Sequence, residues 1–255
     1  MHYLERRKDI LNRIMQEGSV KAEELAKRYA VGVPTIRRDL KYLAEEYGIE
    51  IAYGGAYRKE SLANQHVVEL NITQKRMHHL EDKRFIAKKA AAIVEDGDTI
   101  ALNAGSSVEL VLDYLEGINA VNIVTLSLNV ALRASTIPGA TIYMPGGKLR
   151  NYSGAFYGSE TESFLKRFNI DKAFLGVVAV SINKGVTHPS LEEVKTNQIL
   201  ADISRECYLL ADHSKFDKTS LIKMYDLSQF HGFILDEATP EIYREYARNN
   251  DIIII

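Results

Sequence analysis

The sequence predicts an α/β protein in two parts, a small helical module at the amino terminus and a larger domain built on a mainly parallel sheet. Three observations predict it. The chain has 255 residues, more than one average domain, and its 46% of hydrophobic residues suffice for a sizeable core. Up to Tyr47, apolar residues recur at helical spacing in three short bursts. From Lys83 onward, short apolar runs alternate with amphipathic segments, the rhythm of strands joined by helices.

The first helix is expected over Glu5 to Gln16, where Ile10, Leu11 and Ile14 share one side and Gly18 ends the pattern. Lys21 to Tyr29 carries Ala22, Leu25, Ala26 and Tyr29, and the short turn "AVGV" leads into Pro34 to Tyr47. Pro34 suits a first helical turn, where an N–H would lack a helical partner in any case, and Gly32 is a weak N-cap. Three short helices with a tight turn before the third describe a helix-turn-helix. Beyond Gly48, "IEIAYGGAY" alternates and then turns at Gly-Gly, as a small β-hairpin wing would.

Within the third helix Ile36, Leu40 and Leu43 converge on one side, while Arg37, Arg38 and Lys41 point away from it. That cationic face is either a solvated surface or one held ready for a polyanion. Residues 1–59 hold 12 Lys+Arg against 9 Asp+Glu, and the remainder 20 against 25, so the basic surplus lies at the end that carries this helix. A third helix of this kind lies in the DNA major groove with residues near its start reaching base edges. Thr35, Arg37, Arg38 and Lys41 are then the readers, each guanidinium gripping either a guanine or a phosphate. Asp39 is expected to orient a neighbouring arginine rather than to touch a base.

The stretch "ERRKDILNRIMQEGSVKAEELAKRYAVGVPTIRRDLKYL", followed by "YGGA", resembles the DeoR family of bacterial sugar-responsive transcription factors, and the resemblance continues over nearly the whole chain. The expected organisation is a winged helix-turn-helix over residues 1–57, a connector of mixed polarity over 58–80, and an effector-binding domain over 81–255. The resemblance implies a sugar-phosphate-isomerase-like fold for that last part. Two departures stand out. Gly32 occupies the place of the usual turn serine, and Ile51 and Tyr53 replace the wing's usual basic residue and histidine, which implies a weaker hold of the wing on phosphate.

In the second domain Ile86, Ala90 and Ile93 mark a helix, "DTIAL" a strand, and Val108, Val111, Leu112 and Leu115 another helix. The apolar runs "NIVTL", "ATIYM", "KAFLGVV", "CYLLAD", "GFILD" and "DIIII" follow. Ligands of parallel sheets sit outside the carboxyl ends of the strands, so the loops after these runs are the places to search. In "LNAGSSVEL" the small residues Gly105, Ser106 and Ser107 let backbone N–H groups and hydroxyls converge at a helix start, which suits a phosphate; an ordinary turn with Ser106 as N-cap would look the same. The segment resembles the family's "D-x-G-T-T" phosphate loop, with Asn103 in place of the aspartate and serines in place of the threonines. That implies an Asn103 able to accept from a sugar hydroxyl while changing which sugar fits.

In "PGGKLRNYSGAFYG" the pair Gly146 and Gly147 permits close backbone approach beside Lys148 and Arg150, a candidate anion site. Glu192 and Lys195 fall at i, i+3 on a helix and would make a surface pair. They also resemble the family's "E-x-x-K" signature, which implies that they face the ligand, and Lys215 resembles its "S-K-F" lysine.

Several functions are excluded or disfavoured. No run approaches the roughly 18 apolar residues of a membrane span and the first residues are charged, so a cytoplasmic protein without membrane contact is expected. Cys207, the single cysteine, rules out an internal disulfide and reads as a buried thiol. His78 and His79 diverge by about 100° on a helix, with no Cys or carboxylate set in sequence, so no metal and no cofactor are expected. "DHSK" holds triad residue types, but adjacent positions cannot form a relay, and no G-x-S-x-G elbow exists. An isomerase-like enzyme using Glu192 with Lys195 or Lys215 for proton transfer is the alternative. The helix-turn-helix decides against it. The expectation is a non-enzymatic DNA-binding transcriptional regulator, a repressor, that binds a double-stranded operator and a phosphorylated sugar effector. It should form a homodimer or larger assembly, because such proteins read paired half-sites.

Overall fold

A computed structural model of the protein describes residues 3–17, 19–47, 49–52, 54–58 and 70–255. The chain divides into two compact units, residues 1–64 and 65–255. Gly18, Gly48, Tyr53 and residues 59–69 of the expected connector lie outside the described residues.

The first unit runs α1 (Tyr3–Glu17), β1 (Ser19–Lys21), α2 (Ala22–Tyr29), α3 (Val33–Tyr47), β2 (Ile49–Ala52) and β3 (Gly55–Arg58). Its three strands form an antiparallel sheet in the order β1-β3-β2. The expected wing is the β2–β3 hairpin; β1, only three residues long, is too short to announce itself by alternation. Gly55 allows β1 to close on β3, since a Cβ there would lie 2.0 Å from the Val20 carbonyl oxygen. Ile10 and Ile14 of α1, Leu25 of α2, and Ile36, Leu40 and Leu43 of α3 pack with Val20, Ile49 and Ala56 into one core. Burying each of the larger side chains contributes roughly 1.5–3 kcal/mol relative to exposure. The tight turn before α3 is made by Ala30, which caps α2 in the left-handed region (φ 51°) with its N–H turned back to Ala26 and Lys27.

The second unit opens with α4 (Ile72–Met77) and α5 (Leu80–Ala91), followed by β4 (Thr99–Leu102), α6 (Ser106–Val111), β5 (Val121–Thr125), α7 (Leu128–Ala134) and β6 (Ala140–Tyr143). Next come β7 (Lys148–Arg150), β8 (Ala155–Tyr157), α8 (Ser159–Leu165), β9 (Ile170–Gly176), β10 (Ala179–Ser181), β11 (Gly185–His188) and α9 (Leu191–Asp202). The unit ends with β12 (Ser204–Ala211), β13 (Ile222–Tyr225), β14 (Gly232–Leu235), α10 (Glu241–Asn249) and β15 (Ile253–Ile254). Seven strands form one parallel sheet in the order β15-β14-β12-β9-β4-β5-β6. Each of its strands overlaps one of the apolar runs expected from the sequence, with β5, β9 and β12 starting one to three residues earlier.

Those runs are continuous rather than alternating because both faces of the sheet are covered. Ala101, Ala173, Leu175 and Leu209 pack into one hydrophobic cluster, and Ile100, Leu102, Phe174, Tyr208 and Leu210 into a second on the opposite face. From β4 the chain moves outward through β5 and β6, then returns to β4's other side as β9 and continues through β12, β14 and β15. The direction reverses between β4 and β9, and a crevice at such a switch point is where ligands of parallel sheets collect. The β7–β8 hairpin and the small β10-β11-β13 sheet are additions with no clear sequence signal, their strands being three or four residues long.

Candidate functional site

In α3 the apolar side is fully inward and Arg37, Arg38 and Lys41 are all exposed, with Thr35 half-buried at the first turn. Ile51, on the wing, is also exposed. Asp39 is buried, and its role differs in one respect from the expectation. It accepts from Nε of Arg6 at 2.7 Å and from Nε of Arg7 at 2.7 Å, both on α1, rather than orienting Arg37 or Arg38. Arg7 also lies over the Tyr42 ring at 4.1 Å. The carboxylate therefore clamps α1 to α3 and fixes the angle at which the cationic face is presented.

At the switch point Asn103 follows β4 and Gly176 ends β9. The Asn103 side chain spans the gap: Nδ2 donates to the Gly176 carbonyl at 3.0 Å and Oδ1 accepts from the Gly176 N–H at 2.9 Å. Nδ2 also lies 3.3 Å from Oδ1 of Asn197 on α9. An aspartate in place of Asn103 would turn an oxygen toward the Gly176 carbonyl where the amide donates. Gly105 caps α6 in an extended conformation (φ −169°), and Ser106 and Ser107 are buried in its first turn.

One turn before Asn197, α9 brings Glu193 to the same neighbourhood. Its carboxylate is buried, accepts from Nη1 of Arg150 at 2.9 Å and lies 3.6 Å from Nε2 of His188. Glu192 and Lys195 are instead exposed on that helix. The Glu192 carboxylate is tied to a backbone N–H and to the Ser190 hydroxyl at 2.9 Å, which hold it below the usual carboxylate range. Gly146 and Lys148 are exposed; the Gly146 carbonyl accepts from the Thr161 hydroxyl at 2.8 Å. A Cβ on Gly147 (φ 133°) would come within 2.5 Å of that hydroxyl oxygen, so packing alone demands glycine there.

Lys215 follows β12, with its Nζ 3.8 Å from Oδ2 of the fully buried Asp212. Among the described residues that oxygen has no hydrogen-bond partner; the other accepts from the N–H and hydroxyl of Ser214. Burial pushes the Asp212 carboxyl up, but Lys215, the Ser214 hydroxyl, Lys83 and His79 outweigh it and hold it below its ordinary range. Lys83, buried on α5, donates to the carbonyls of Lys75 and His78. Burial first, then repulsion from Lys215, lowers its pKa from 10.5 to about 8.

The unfolded chain binds the Lys83 proton more tightly than the fold does. Between pH 8 and 10.5 the unfolded state therefore carries more protons, and this group's penalty, full below about pH 8, is relieved as pH rises through that window. Denaturant titrations of wild type and Lys83→Met across it are expected to show wild type gaining stability relative to the variant; parallel curves would contradict the shift.

The short helix α4 ties these parts together. Its first N–H, of Ile72, donates to the Tyr152 carbonyl at the hairpin tip; Nε of Arg76 meets the buried Glu109 of α6 at 2.7 Å; and its last turn receives Lys83. Glu109 Oε1 has no hydrogen-bond partner among the described residues. An Asn71 capping box starts this helix.

The structure thus brings Asn103, Gly105 and Arg150 to one neighbourhood through Gly176, Asn197 and Glu193, with Ser106 and Ser107 opening the adjacent helix. Lys215 belongs with Asp212 and Lys83. Sequence reading passed over Lys83, Glu109 and Glu193. For Lys83 a signal was available, a charged residue in line with Ile86, Ala87 and Ala90 on an otherwise apolar helix face, whereas Glu109 and Glu193 share their buried faces with polar residues such as Ser106 and Asn197. Asp212 and the partners of Asp39 gave no such signal, because they depend on segments distant in sequence.

Residues 6–61 match the family model for a DeoR-like helix-turn-helix domain, and residues 78–237 the model for a DeoR C terminal sensor domain. A candidate aga operon transcriptional repressor of Escherichia coli O157:H7 is 32% identical over 98% of this chain and 93% of its own length. The glycerol-3-phosphate regulon repressor of Escherichia coli K12 is 31% identical over 94% of this chain and 93% of its own. Among solved structures, ribose 5-phosphate isomerase from Plasmodium falciparum aligns with a TM-score of 0.39 at 21% identity, over 53% of this chain and 52% of that one.

Proposed function

Because this chain belongs to the DeoR family and is a DNA-binding transcriptional regulator, we propose that it represses its target genes and releases them when a phosphorylated sugar or related metabolite binds the second unit. The observation that carries the reading is the outward face of Arg37, Arg38 and Lys41 on a chain that also holds a sensor domain. We assign base and phosphate contacts to Thr35, Arg37, Arg38 and Lys41. The effector is assigned to the loops at the carboxyl ends of the sheet: Gly105, Ser106 and Ser107 for the phosphate, with Arg150 and Lys215 as the nearest cations. Asn103 forms the floor through its bonds to Gly176.

Regulation follows from linkage: an effector that favours the arrangement unable to bind DNA shifts the population by the difference between its two affinities. The route begins at α4, anchored to the hairpin, α5 and α6, and continues along the chain through residues 59–69. Paired half-sites call for a homodimer or larger assembly, and DNA binding places the protein in the cytoplasm. We assign no catalysis to Glu192, Lys195 or Lys215; pentose and hexose phosphates are expected to show no aldose–ketose interconversion, and measurable turnover would overturn that assignment.

The direct test is a thermal-shift screen of phosphorylated sugars, since a ligand that binds only the folded state raises the melting temperature. The active compound should then weaken binding to genomic DNA fragments from the protein's own neighbourhood. Ser106→Asp is expected to abolish this response by repelling the phosphate, with DNA binding retained. A variant that folds and still responds would remove the phosphate from this loop.

A further inference from the structure

We propose that the second unit binds one divalent first-row transition metal ion, Zn2+ above Mg2+ or Ca2+, between His79, Asp82 and His213. One ring nitrogen from each histidine and a carboxylate oxygen of Asp82 lie within 4.8 Å of one another. Nδ1 of His79 is 3.4 Å from the Asp82 oxygen, and the His79 and His213 rings meet edge to face at 4.9 Å; Nδ1 of His213, 4.0 Å from the same oxygen, is engaged by Asp236, so Nε2 is the nitrogen that ring offers to an ion. Small side-chain rotations bring three such atoms onto one ion at about 2.0–2.2 Å.

The surroundings are those of a ligand set rather than of a chance surface group. Asp236, buried, accepts from the backbone N–H of His213 at 2.9 Å and from its Nδ1 at 2.6 Å, and is itself steadied by the Thr239 hydroxyl at 2.7 Å. A carboxylate behind an imidazole fixes the ring's orientation and tautomer and raises its basicity, as in the outer shell of metal sites. His79 is held in the left-handed region (φ 52°, ψ 44°), an uncommon backbone state for a residue with a side chain, and it caps α5 without a side-chain hydrogen bond. What that conformation achieves is to aim the imidazole at Asp82 and His213.

Charge also favours a cation. Asp82, with Asp236 behind His213 and Asp212 beyond it, sets three carboxylates against Lys83 and Lys215 around the cluster. Two imidazoles and one carboxylate select Zn2+ and its neighbours over the oxygen-seeking Mg2+ and Ca2+. Three protein ligands leave one position for water or for an oxygen of a bound molecule. Such an ion would staple the end of β12 to the head of α5, beside the lysine that receives α4.

The sequence argument against a metal concerned His78 and His79 as neighbours. His78 and His79 in fact stand between α4 and α5 in non-helical conformations, and the partners of His79 are Asp82, three residues on, and His213, 134 positions further along the chain than His79.

The test is a titration of untagged, full-length, EDTA-treated protein with Co2+, read by visible d–d absorption and by displacement with Zn2+. One ion per chain is expected. His79→Ala and His213→Ala should lose it, Asp236→Asn should weaken it by about 10- to 100-fold, and His78→Ala should bind as wild type does. Thermal unfolding without metal separates loss of the site from loss of the fold: a folded His79→Ala that does not bind supports the proposal. No uptake of Co2+ or Zn2+ by wild type, or unchanged uptake by folded His79→Ala and His213→Ala, would overturn it.

Discussion

Asp39→Ala is expected to destabilise the amino-terminal unit by about 3–5 kcal/mol, the range found when one partner of a buried ion pair is removed. The reason is what remains behind. Arg6 is buried along with the aspartate, and both arginines aim Nε at it from 2.7 Å. Without the carboxylate, one guanidinium is stranded in the interface between α1 and α3 and a second loses its anchor. Asp39→Asn keeps the shape but gives up the charge, and should fall between wild type and alanine. Calorimetry of the whole protein is the measurement, with the loss confined to the transition of the first unit. A change within about 0.5 kcal/mol, the level of ordinary surface substitutions, would show that the clamp contributes nothing.

The second large effect is on DNA. Arg37→Ala and Arg38→Ala are each expected to weaken operator binding by about 1–3 kcal/mol if the side chain grips a base pair bidentately, roughly 5- to 150-fold in Kd. A contact to phosphate instead weakens binding to all sequences alike and reduces the slope of log affinity against log salt by about one. Because both side chains are exposed, neither substitution should alter stability. That separates them from Asp39→Ala, two helical positions away at most, which is expected to act through the fold. Fluorescence anisotropy at several salt concentrations distinguishes the two contact types, and unchanged binding by both variants would remove this helix face from DNA recognition.

The strands of the large sheet were legible because burial on both faces writes an unbroken apolar run, and the helices of the first unit because one buried face writes a period of 3.6. Short elements escape that logic, as β1 and the β7–β8 hairpin show. The basic face of α3 was readable for the same reason as its apolar side. The candidate effector site was legible only in outline. The sequence points to the loops after the strands, but a helix turns about 100° per residue, and the signature that draws the eye to Glu192 stands one position from Glu193, whose carboxylate is the buried one. Asp39 was rightly given a structural task, yet its arginines lie 32 and 33 positions away. No local pattern contains that information.

The pair of hydrogen bonds between Asn103 and Gly176 locks the two central strands to each other beneath the proposed effector site. A floor so fastened is a poor lever. Whatever a small molecule sets moving must be moved in the walls, and the wall whose polypeptide runs on toward the DNA reader is the six-residue helix held by Tyr152, Glu109 and Lys83. If the second unit holds the proposed effector, loosening any of those three moorings is expected to change how strongly its binding is felt at the DNA reader.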